Sequence, residues 1–541
     1  MDSHSIPYTH LPHTSRLFAD YLYDYGRVSE FYSYHPFEAE SFRKAAQSIH
    51  YPADLRRQVV AVLKEQNQRF SSAEKAFDSL KKLERPDCYA VVTGQQMGLF
   101  SGPVFAFYKA LTAIKLARSL SSKGLEAVPV FWLATEDHDL DEVNHCFVQD
   151  REGNPRRLDH LDPPPVPGAR VGEVPFTDAV VRLQDELREI LPDSAEASGL
   201  FELLAECYRS GESYGTAFGR FMARLFRDFG VVLMDPMDRR LHELSARVFR
   251  AAVESAPELQ RGLAERNRRL TEGGYHVQVR VTESSSLLFL QANGRRSALK
   301  LQGEKFVSAQ GHTCSVEDLL KQLEQQPENL SPNVLLRPVM QDALLPTVAY
   351  VAGSSELAYL AQAGSIYQSV LGRMPVVFPR ASFTILERPA TRLLGKYGLT
   401  LPDVYAGKQA LREKMAARFL PDGLTDLFQK ASKGLGESME MLQKALAPVD
   451  PTLVDAAAAS ARKMQYQLSG LERKAAAAVQ NRTEQVERDA LRLENSLYPQ
   501  KTPQERLFSG ISFLARYGPQ FLDQIYEAIP LHASDHQLVS F

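Results

Sequence analysis

The stretch that decides the fold is residues 88–110, which read CYAVVTGQQMGLFSGPVFAFYKA. Its β-branched, aromatic start predicts a strand over Tyr89–Val92. The amphipathic run that begins near Pro103 predicts a helix, with Ser101 as its N-cap. A strand that enters a helix through a glycine-containing loop leaves backbone N–H groups for an anionic ligand. We therefore predict a binding loop made of Thr93, Gly94, Gln95, Gln96, Gly98 and Gly102.

Outward from this stretch, apolar runs of strand length alternate with helical segments over residues 87–386. This alternation predicts a parallel α/β sheet, and runs that are apolar throughout are typical of strands covered on both faces. Insertions are expected at about 150–225 and 240–335, the second with a turn at Asn293-Gly294. The predicted strands are Tyr89–Val92, Val128–Leu133, Val231–Met234, Thr347–Val351 and Val376–Phe378.

The rest of the chain has a helical pattern. Residues 1–86 are predicted to form helices that pack on the core. Residues 387–500 are predicted to form an antiparallel hairpin, broken at Pro448–Pro451. That hairpin either protrudes as a coiled coil or packs wholly on its own core, and small alanines along its seam favour close contact with another helix. Residues 501–541 are expected to hold one amphipathic helix, over about 502–529, that docks on the rest.

Composition and charge narrow the class of protein. Lysine and arginine number 63 and aspartate and glutamate 66, a formal net charge of −3. This balance gives no basic footprint for nucleic acid or for an anionic membrane surface. No apolar run is long enough to span a membrane, and the N-terminus lacks the order of a signal peptide. Four scattered cysteines favour a reducing cytoplasm over a disulfide framework.

An acidic run with one histidine, TEDHDLDE at residues 135–142, follows the predicted strand Val128–Leu133. The carboxyl end of a parallel strand is where a site is expected, and crowded carboxylates shift one another's pKa values. The run is also typical of a solvated first helical turn, and a buried structural histidine fits as well as a general base. We predict catalytic roles for Glu136, Asp137 and His138 and a binding role for Asp139.

The same cluster could hold a divalent cation, because one imidazole and several carboxylates are suitable ligands. The spacing matches no specific metal motif. We therefore expect no protein-bound metal, and we expect magnesium only as an ion that arrives with a nucleotide.

A third candidate segment, residues 331–362, repeats the order of strand, small residues and helix N-terminus. Arg337 could pair with a carboxylate or phosphate, or form a structural ion pair. Ser354 could contact a ligand or only cap the helix. The predicted binding residues are Arg337, Gly353, Ser354, Glu356 and Tyr359. The P-loop, GxGxxG and GxSxG patterns are all absent from the chain.

Four blocks together resemble the cysteine ligase family of bacillithiol biosynthesis, and the resemblance extends over nearly the whole chain. The blocks are TGQQMGLFSGPVFAFYK (Thr93–Lys109), PVFWLATEDHDLDEVN (Pro129–Asn144), SPNVLLRPVMQDALLPTVAYVAGSSELAYLAQ (Ser331–Gln362) and PVVFPRASFTILE (Pro375–Glu387). Each block alone is weak evidence, and the combination is specific.

The resemblance implies a Rossmann-like core similar to the nucleotidyltransferase and class I synthetase group, with insertions and a coiled coil that forms a homodimer. It also implies the last step of bacillithiol synthesis, in which the carboxyl group of L-cysteine is joined to the amine of glucosaminyl malate. The HxGH signature of the wider group has no match, since Gln95-Gln96-Met97-Gly98 occupies the comparable loop.

Amide formation from a carboxylate in water is uphill, so such a ligase is expected to use ATP with Mg²⁺ to form an acyl-adenylate or an acyl-phosphate. The loop amides and the following helix N-terminus would hold phosphate and the developing oxyanion. His138 would accept the amine proton, and Glu136, Asp137 or Asp139 would hold the cysteine ammonium. Two other classes stay open: a ligase or nucleotidyltransferase of the same fold for another amine or thiol, and a non-catalytic coiled-coil scaffold.

Overall fold

The computed structural model describes residues 3–164, 166–282, 284–308, 311–418, 423–480, 484–532 and 535–541. The chain divides into two compact units. The first comprises residues 1–384 and 505–539, and the second comprises residues 385–504 and 540–541. Within the described ranges, no helix combines the length and the apolar character needed to cross a membrane.

The first unit is built around a five-stranded sheet in which all neighbouring strands are parallel. The strands are buried along almost their whole length, as expected where other elements cover both faces. The parallel α/β sheet that the apolar runs predicted is confirmed. Its strands are β1 (Tyr89–Gln95), β2 (Ala127–Leu133), β3 (Val232–Met234), β4 (Thr347–Ala352) and β5 (Val376–Pro379).

The strand order across this sheet is β5-β4-β1-β2-β3. The chain therefore runs from β1 to β2 and β3 on one side, and returns to place β4 and β5 on the other side of β1. The reversal creates a switch point between the carboxyl ends of β1 and β4, where open α/β sheets bind ligands. Two long helices follow these strands: α1 (Phe105–Ser122) comes after β1, and α2 (Ser354–Val370) comes after β4.

Two insertions interrupt the sheet. Between β2 and β3 lie an antiparallel hairpin and three helices, with bounds His145–Gln149, Pro155–Asp159, Ala179–Ile190, Ala195–Cys207 and Tyr214–Leu225. Between β3 and β4 lie five helices, Arg239–Leu244, Ala246–Glu254, Ala256–Glu272, Val316–Gln325 and Arg337–Leu344.

The second insertion also contains an antiparallel sheet. Its strands follow the spatial order Thr313–Cys314, Lys305–Ser308, Arg295–Gln302, Ser285–Ala292 and Leu330–Pro332. Asn293 and Gly294 join two of these strands with φ angles of 51° and 74°. The turn predicted at this pair is therefore confirmed, since such left-handed angles are what a tight hairpin turn requires.

The two ends of the chain complete the first unit. The N-terminal region forms the helices Arg16–Tyr23, Ala39–Gln47, Ala53–Arg69 and Glu74–Leu83. The strand Ser3–Ile6 pairs in antiparallel fashion with the strand His536–Ser540.

The C-terminal region differs from the single amphipathic helix predicted over about 502–529, and that prediction is wrong. Three short helices replace it: Gln504–Leu507, Gly510–Tyr517 and Gln520–Ala528. One break occurs at Gly518, whose φ is 63°, followed by Pro519. The other occurs where Phe508 and Ser509 form β-bridges to Phe147 and Pro103. These breaks bring the segment next to α1, which matters for the site.

The second unit is helical, and the chain enters it through the short strand Phe383–Leu386. The buried carboxylate of Asp489 accepts hydrogen bonds from Lys396 Nζ and Tyr397 OH, both at 2.8 Å, and so ties the unit's first helix to its last. The predicted antiparallel hairpin forms, and residues 419–422 and 481–483 of its predicted region lie outside the described residues. The helices are Arg388–Tyr397, Leu401–Tyr405, Lys408–Ala417, Leu424–Leu446, Pro451–Gln480 and Glu484–Leu497.

Candidate active site

A cleft of about 640 Å³ lies at the switch point of the first unit. The three predicted site segments, which are far apart in sequence, meet in its walls. The predicted residues that line it are Gly94, Gln95, Gln96, Glu136, Asp137, His138, Arg337, Gly353, Ser354, Glu356 and Tyr359. Their roles toward a ligand stay predictions, and the structure supplies their geometry.

Four predicted site residues do not line the cleft. Thr93 is buried, and its hydroxyl donates to Val351 O at 2.9 Å, which joins β1 to β4. Gly98 and Gly102 pack face to face, so a Cβ on Gly98 would lie 2.5 Å from the Gly102 Cα. Asp139 is exposed and accepts a hydrogen bond from a backbone N–H of its own loop. These residues shape the loops that carry the site.

The N-terminus of α1 is arranged differently from the prediction. The helix begins at Phe105 with Val104 at the N-cap position, so Ser101 as N-cap is wrong. Ser101 has a φ of 78°, and its hydroxyl lies 3.1 Å from the Ser509 hydroxyl. The Val104 N–H donates to Phe508 O at 2.8 Å. The C-terminal segment thus takes up a donor that the sequence had assigned to a bound anion.

An ion pair between α1 and α2 joins the buried Lys109 to Glu356, which lines the cleft and is part-buried. Lys109 is 1% exposed, and its Nζ lies 2.7 Å from Glu356 Oε2. The ammonium also donates to Gly94 O and lies 3.3 Å from Gln95 Oε1. Burial opposes the ionisation of Glu356, but the Lys109 charge and the Gly353 N–H hold its pKa below the ordinary value. The pair fixes the loop after β1 against the start of α2.

The same carboxylate anchors a second network that reaches the cleft wall. Tyr350 OH donates to Glu356 Oε1 at 2.7 Å. Arg337 donates to Tyr350 OH at 3.3 Å, to Tyr359 OH at 3.0 Å and to Gln341 Oε1 at 3.0 Å. Arg337 therefore sits among neutral oxygens, and its positive charge remains available to an anion in the cleft.

The start of α2 adds further positive potential. Gly353 occupies the N-cap position, and the first-turn residues Ser354 and Ser355 line the cleft. A helix N-terminus carries partial positive charge and N–H donors that favour an anion. The Ser354 hydroxyl accepts a hydrogen bond from Arg506 Nη2 at 2.9 Å, and Arg506 also lines the cleft.

Arg380 contributes to the same wall, but its charge is already paired. Its guanidinium donates to both oxygens of the buried Glu505, at 2.9 and 2.6 Å. Burial opposes the ionisation of Glu505, yet Arg380 lowers the pKa of Glu505 to about 2. This bidentate pair anchors the segment that carries Arg506 into the cleft.

The loop after β2 forms an acidic wall, and it is a turn-rich loop rather than the first turn of a helix. Gln96 Nε2 donates to Asp137 Oδ2 at 3.0 Å and to Glu142 Oε2 at 2.5 Å. Burial and the charges of Asp137 and Asp139 raise the pKa of Glu142 above its ordinary value. The predicted loop amide thus bridges two carboxylates of the predicted acidic run.

Glu136 lies deeper in this wall and is buried. Its Oε1 lies 3.0 Å from Nε2 of His242, a fully buried residue of the second insertion. The two groups are close, but they are not aligned for a hydrogen bond. A buried carboxylate that lines a cleft and lacks an aligned donor is suited to receive a cationic group of a ligand.

His138 is half-buried beside Arg296, another residue of the second insertion. Arg296 Nη1 lies 3.0 Å from His138 Nδ1. Burial and the Arg296 charge lower the pKa of His138 below its ordinary value. Neither sequence alternative, a buried histidine or an open general base, describes this arrangement fully.

Among the residues that the structure describes, no group of three or more His, Cys, Asp or Glu side chains is arranged to hold a metal ion. The acidic wall therefore offers single carboxylates rather than a metal-binding cluster.

Comparison with known families agrees with this geometry. Residues 1–381 match the model of the bacillithiol biosynthesis BshC N-terminal Rossmann-like domain, and residues 383–541 match that of the BshC C-terminal coiled-coil domain. The chain belongs to the BshC family. The family's Rossmann-like and coiled-coil domains are the two architectures predicted for the core and for residues 387–500.

Relatives named "Putative cysteine ligase BshC" cover almost the whole chain. The protein of Koribacter versatilis is 40% identical over 523 residues, 97% of each chain. The protein of Solibacter usitatus is 39% identical over 533 residues, 98% of each chain. The Bacillus cereus relative of the BshC family is 28% identical over 512 residues, 94% of this chain and 95% of its own.

Several cleft residues were not predicted from the sequence. Arg296 and Phe289 come from an insertion that reads as an ordinary β-hairpin, and Arg506 comes from the C-terminal segment. Trp132 and Tyr350 lie in apolar strands, where the sequence predicts only packing in the core. Glu142, Trp132 and Tyr350 stand inside the quoted sequence blocks, but none of them was predicted as a site residue. The remaining members of this set are Phe105, Ala134, Pro236, Val279, Pro332, Asn333, Val334, Ser355 and Arg380.

Proposed function

We propose that this chain is an amide-forming ligase that joins the carboxyl group of L-cysteine to the amine of glucosaminyl malate, using ATP. This is the last step of bacillithiol synthesis, and we place it in the cytoplasm. The observation that carries the proposal is one cleft with an acidic wall and a cationic wall at a sheet switch point. The names of the BshC relatives support the substrate class.

The two walls suit the two ends of an amino acid. The acidic wall follows β2 and contains Glu136 and Asp137, which can hold an ammonium group. The opposite wall follows β4, where Arg337 and the N-terminus of α2 can hold a carboxylate or phosphate. A substrate bound between them presents its carboxyl group toward the cations, where negative charge develops during attack by an amine.

The cationic wall offers hydrogen-bond donors that suit the phosphate groups of ATP. Arg337 and Arg506 form no ion pair in the described residues and can donate to a triphosphate, whereas Arg380 is held by Glu505. Bound ATP would phosphorylate or adenylate one cysteine carboxyl oxygen, which would then leave the carboxyl carbon with phosphate or AMP when the amine attacks. Magnesium would arrive with the nucleotide, because the acidic wall is not arranged as a metal cluster in the described residues.

The protein's own residues have three tasks in this step. The acidic wall holds the cysteine ammonium, and the cationic wall neutralises the activated carboxyl group. As the amine nitrogen bonds to the carboxyl carbon and the leaving group departs, the amine loses a proton to a carboxylate. Asp137 holds the ammonium, so we assign this proton to Glu142, whose pKa is raised by burial and by the neighbouring carboxylates.

We expect purified protein given L-cysteine, glucosaminyl malate and ATP to form bacillithiol. AMP with pyrophosphate would assign an acyl-adenylate, and ADP with phosphate an acyl-phosphate. Asp137→Asn should lower kcat/KM by about 100-fold, because loss of one charge from a desolvated pair costs a few kcal/mol. Mass spectrometry of the thiol and chromatography of the nucleotides provide the measurement.

The matched control is Asp141→Asn, an exposed aspartate of the same loop that does not line the cleft. It should retain wild-type turnover. Absence of any thiol product with all nucleotides would exclude the proposed reaction, and a product from another amine or thiol would assign another ligase of this fold. A chain that binds no nucleotide and tolerates Asp137→Asn would be a scaffold.

We also propose that the second unit forms a homodimer through its helical hairpin. Both long helices expose large apolar side chains that a second copy could cover: Leu427, Met441, Leu442, Met464, Tyr466 and Leu471. Light scattering should report a dimer for the full chain and a monomer after deletion of residues 425–494. A full chain that remains monomeric at micromolar concentration would contradict this proposal.

A further inference from the structure

Arg296 reaches the cleft from the antiparallel sheet of the second insertion. Each of its three guanidinium nitrogens faces a different hydrogen-bond acceptor. Its Nε donates to Ser331 Oγ at 2.9 Å, and its Nη2 donates to Pro332 O at 2.8 Å. Its Nη1 lies 3.0 Å from His138 Nδ1. The guanidinium also lies over the Phe289 ring, 3.7 Å from its centroid. These contacts hold the guanidinium in one orientation.

A guanidinium keeps its protons at all accessible pH values and can only donate. The nitrogen that faces Arg296, Nδ1 of His138, must therefore present its lone pair. A neutral imidazole with a free lone pair on Nδ1 carries its proton on Nε2. We propose that Arg296 is a positioning residue that fixes His138 as a hydrogen-bond donor through Nε2. This inference replaces the role of proton acceptor that the sequence predicted for His138.

Other groups also act on the His138 imidazole, and they do not change this assignment. Asp137 Oδ1 lies 3.6 Å from Nδ1, and Asp139 is close enough to act through its charge, so both carboxylates favour a charged imidazole. Burial and Arg296 favour the neutral form, and together they outweigh the carboxylates. The Phe289 ring, 5.6 Å from the imidazole between centroids, offers no competing hydrogen-bond acceptor.

A fixed donor in the cleft suits an oxygen that gains negative charge, such as the carboxyl oxygen of the activated substrate or a phosphate oxygen. One such donor is worth about 100- to 1,000-fold in turnover when it is removed. The catalytic meaning of this inference rests on the proposed ligase activity. The tautomer of His138 does not depend on that activity, so it can be measured without turnover.

The first test is NMR of the imidazole nitrogens in the full chain labelled with ¹⁵N-histidine, with His138 assigned by its loss in His138→Gln. The wild-type spectrum should show a proton on Nε2 and none on Nδ1. In Arg296→Met we expect a mixture of tautomers and a raised pKa for His138. The control Arg295→Met, an exposed neighbour, should leave the spectrum unchanged. A wild-type proton on Nδ1 would overturn the inference, even if Arg296→Met failed to fold.

The second test compares two substitutions of His138 in the ligation assay. Glutamine keeps an N–H donor near the Nε2 position, so His138→Gln should retain turnover within about tenfold, whereas His138→Leu should lose about 100-fold or more. Equal losses in both variants, with the acidic limb of the pH profile abolished in each, would mean that His138 is a base. If the wild type shows no ligation but the expected tautomer, the proposed function fails and the positioning role stands.

Discussion

Replacement of Lys109 by methionine is expected to lower the free energy of unfolding by about 3–5 kcal/mol. This is the usual cost of removing one partner of a buried ion pair, about 3–5 kcal/mol. Ligation should fall below detection in the same variant. Lys109 is 1% exposed, and Glu356, its partner at 2.7 Å, would be left without its counterion. The Gly94 carbonyl and the Gln95 side chain would also lose their common donor. Chemical denaturation and the ligation assay provide the two measurements.

The controls separate the pair from the general effect of a lost lysine. Lys123→Met removes an exposed lysine just beyond the same helix and should change neither quantity. A double variant, Lys109→Met with Glu356→Leu, should recover much of the stability because no unpaired charge remains, yet it should stay inactive. A Lys109→Met protein with wild-type stability and turnover would show that the pair neither supports the floor of the cleft nor positions the loop.

The sheet could be predicted from the sequence because each strand carries its own local signal. The runs at β1, β2, β4 and β5 are mostly apolar, which is typical of strands covered on both faces. The C-terminal helix could not be predicted in the same way. Its break at Ser509 depends on bridges to distant residues, which the apolar spacing does not show. The break at Gly518 does have a local signal, the pair Gly518-Pro519, which a prediction from apolar spacing alone overlooks.

The candidate site shows the same division. Glu136, Asp137 and the loop after β1 could be predicted because parallel strands bring their carboxyl ends together. Arg296 could not, since its strand reads as an ordinary insertion and its role arises only from its distance to His138. Lys109 lies in the helix that follows the loop, and only its burial and its contact with Gly94 O show that it points back toward the loop. Long-range pairing of charges is therefore what the sequence left undetermined.

Gly94→Ala is expected to destabilise the protein by about 1–3 kcal/mol, the usual cost of overpacking a close-packed core. We also expect it to lower kcat/KM by about 100-fold, because displacements of about 1 Å are sufficient for such a loss. Gly94 lies opposite Trp132 in the register of β1 and β2. A Cβ at this position would lie 2.8 Å from the Trp132 carbonyl oxygen and 3.0 Å from its Cβ. Neither contact is with the end of a flexible side chain, so the backbone itself must move.

That movement occurs where the site is built. Gly94 O is an acceptor for Lys109, and Gln95 follows directly, so separation of β1 from β2 shifts the cleft floor and the amides of the loop. The matched control is Gly199→Ala in the helix Ala195–Cys207, where a Cβ meets no atom within 4 Å. That variant should be more stable by about 0.5–1 kcal/mol, since alanine is the better helix former, and fully active. If Gly94→Ala instead behaves like Gly199→Ala in denaturation and in kcat/KM, then close approach of the two strands is not what positions the loop after β1.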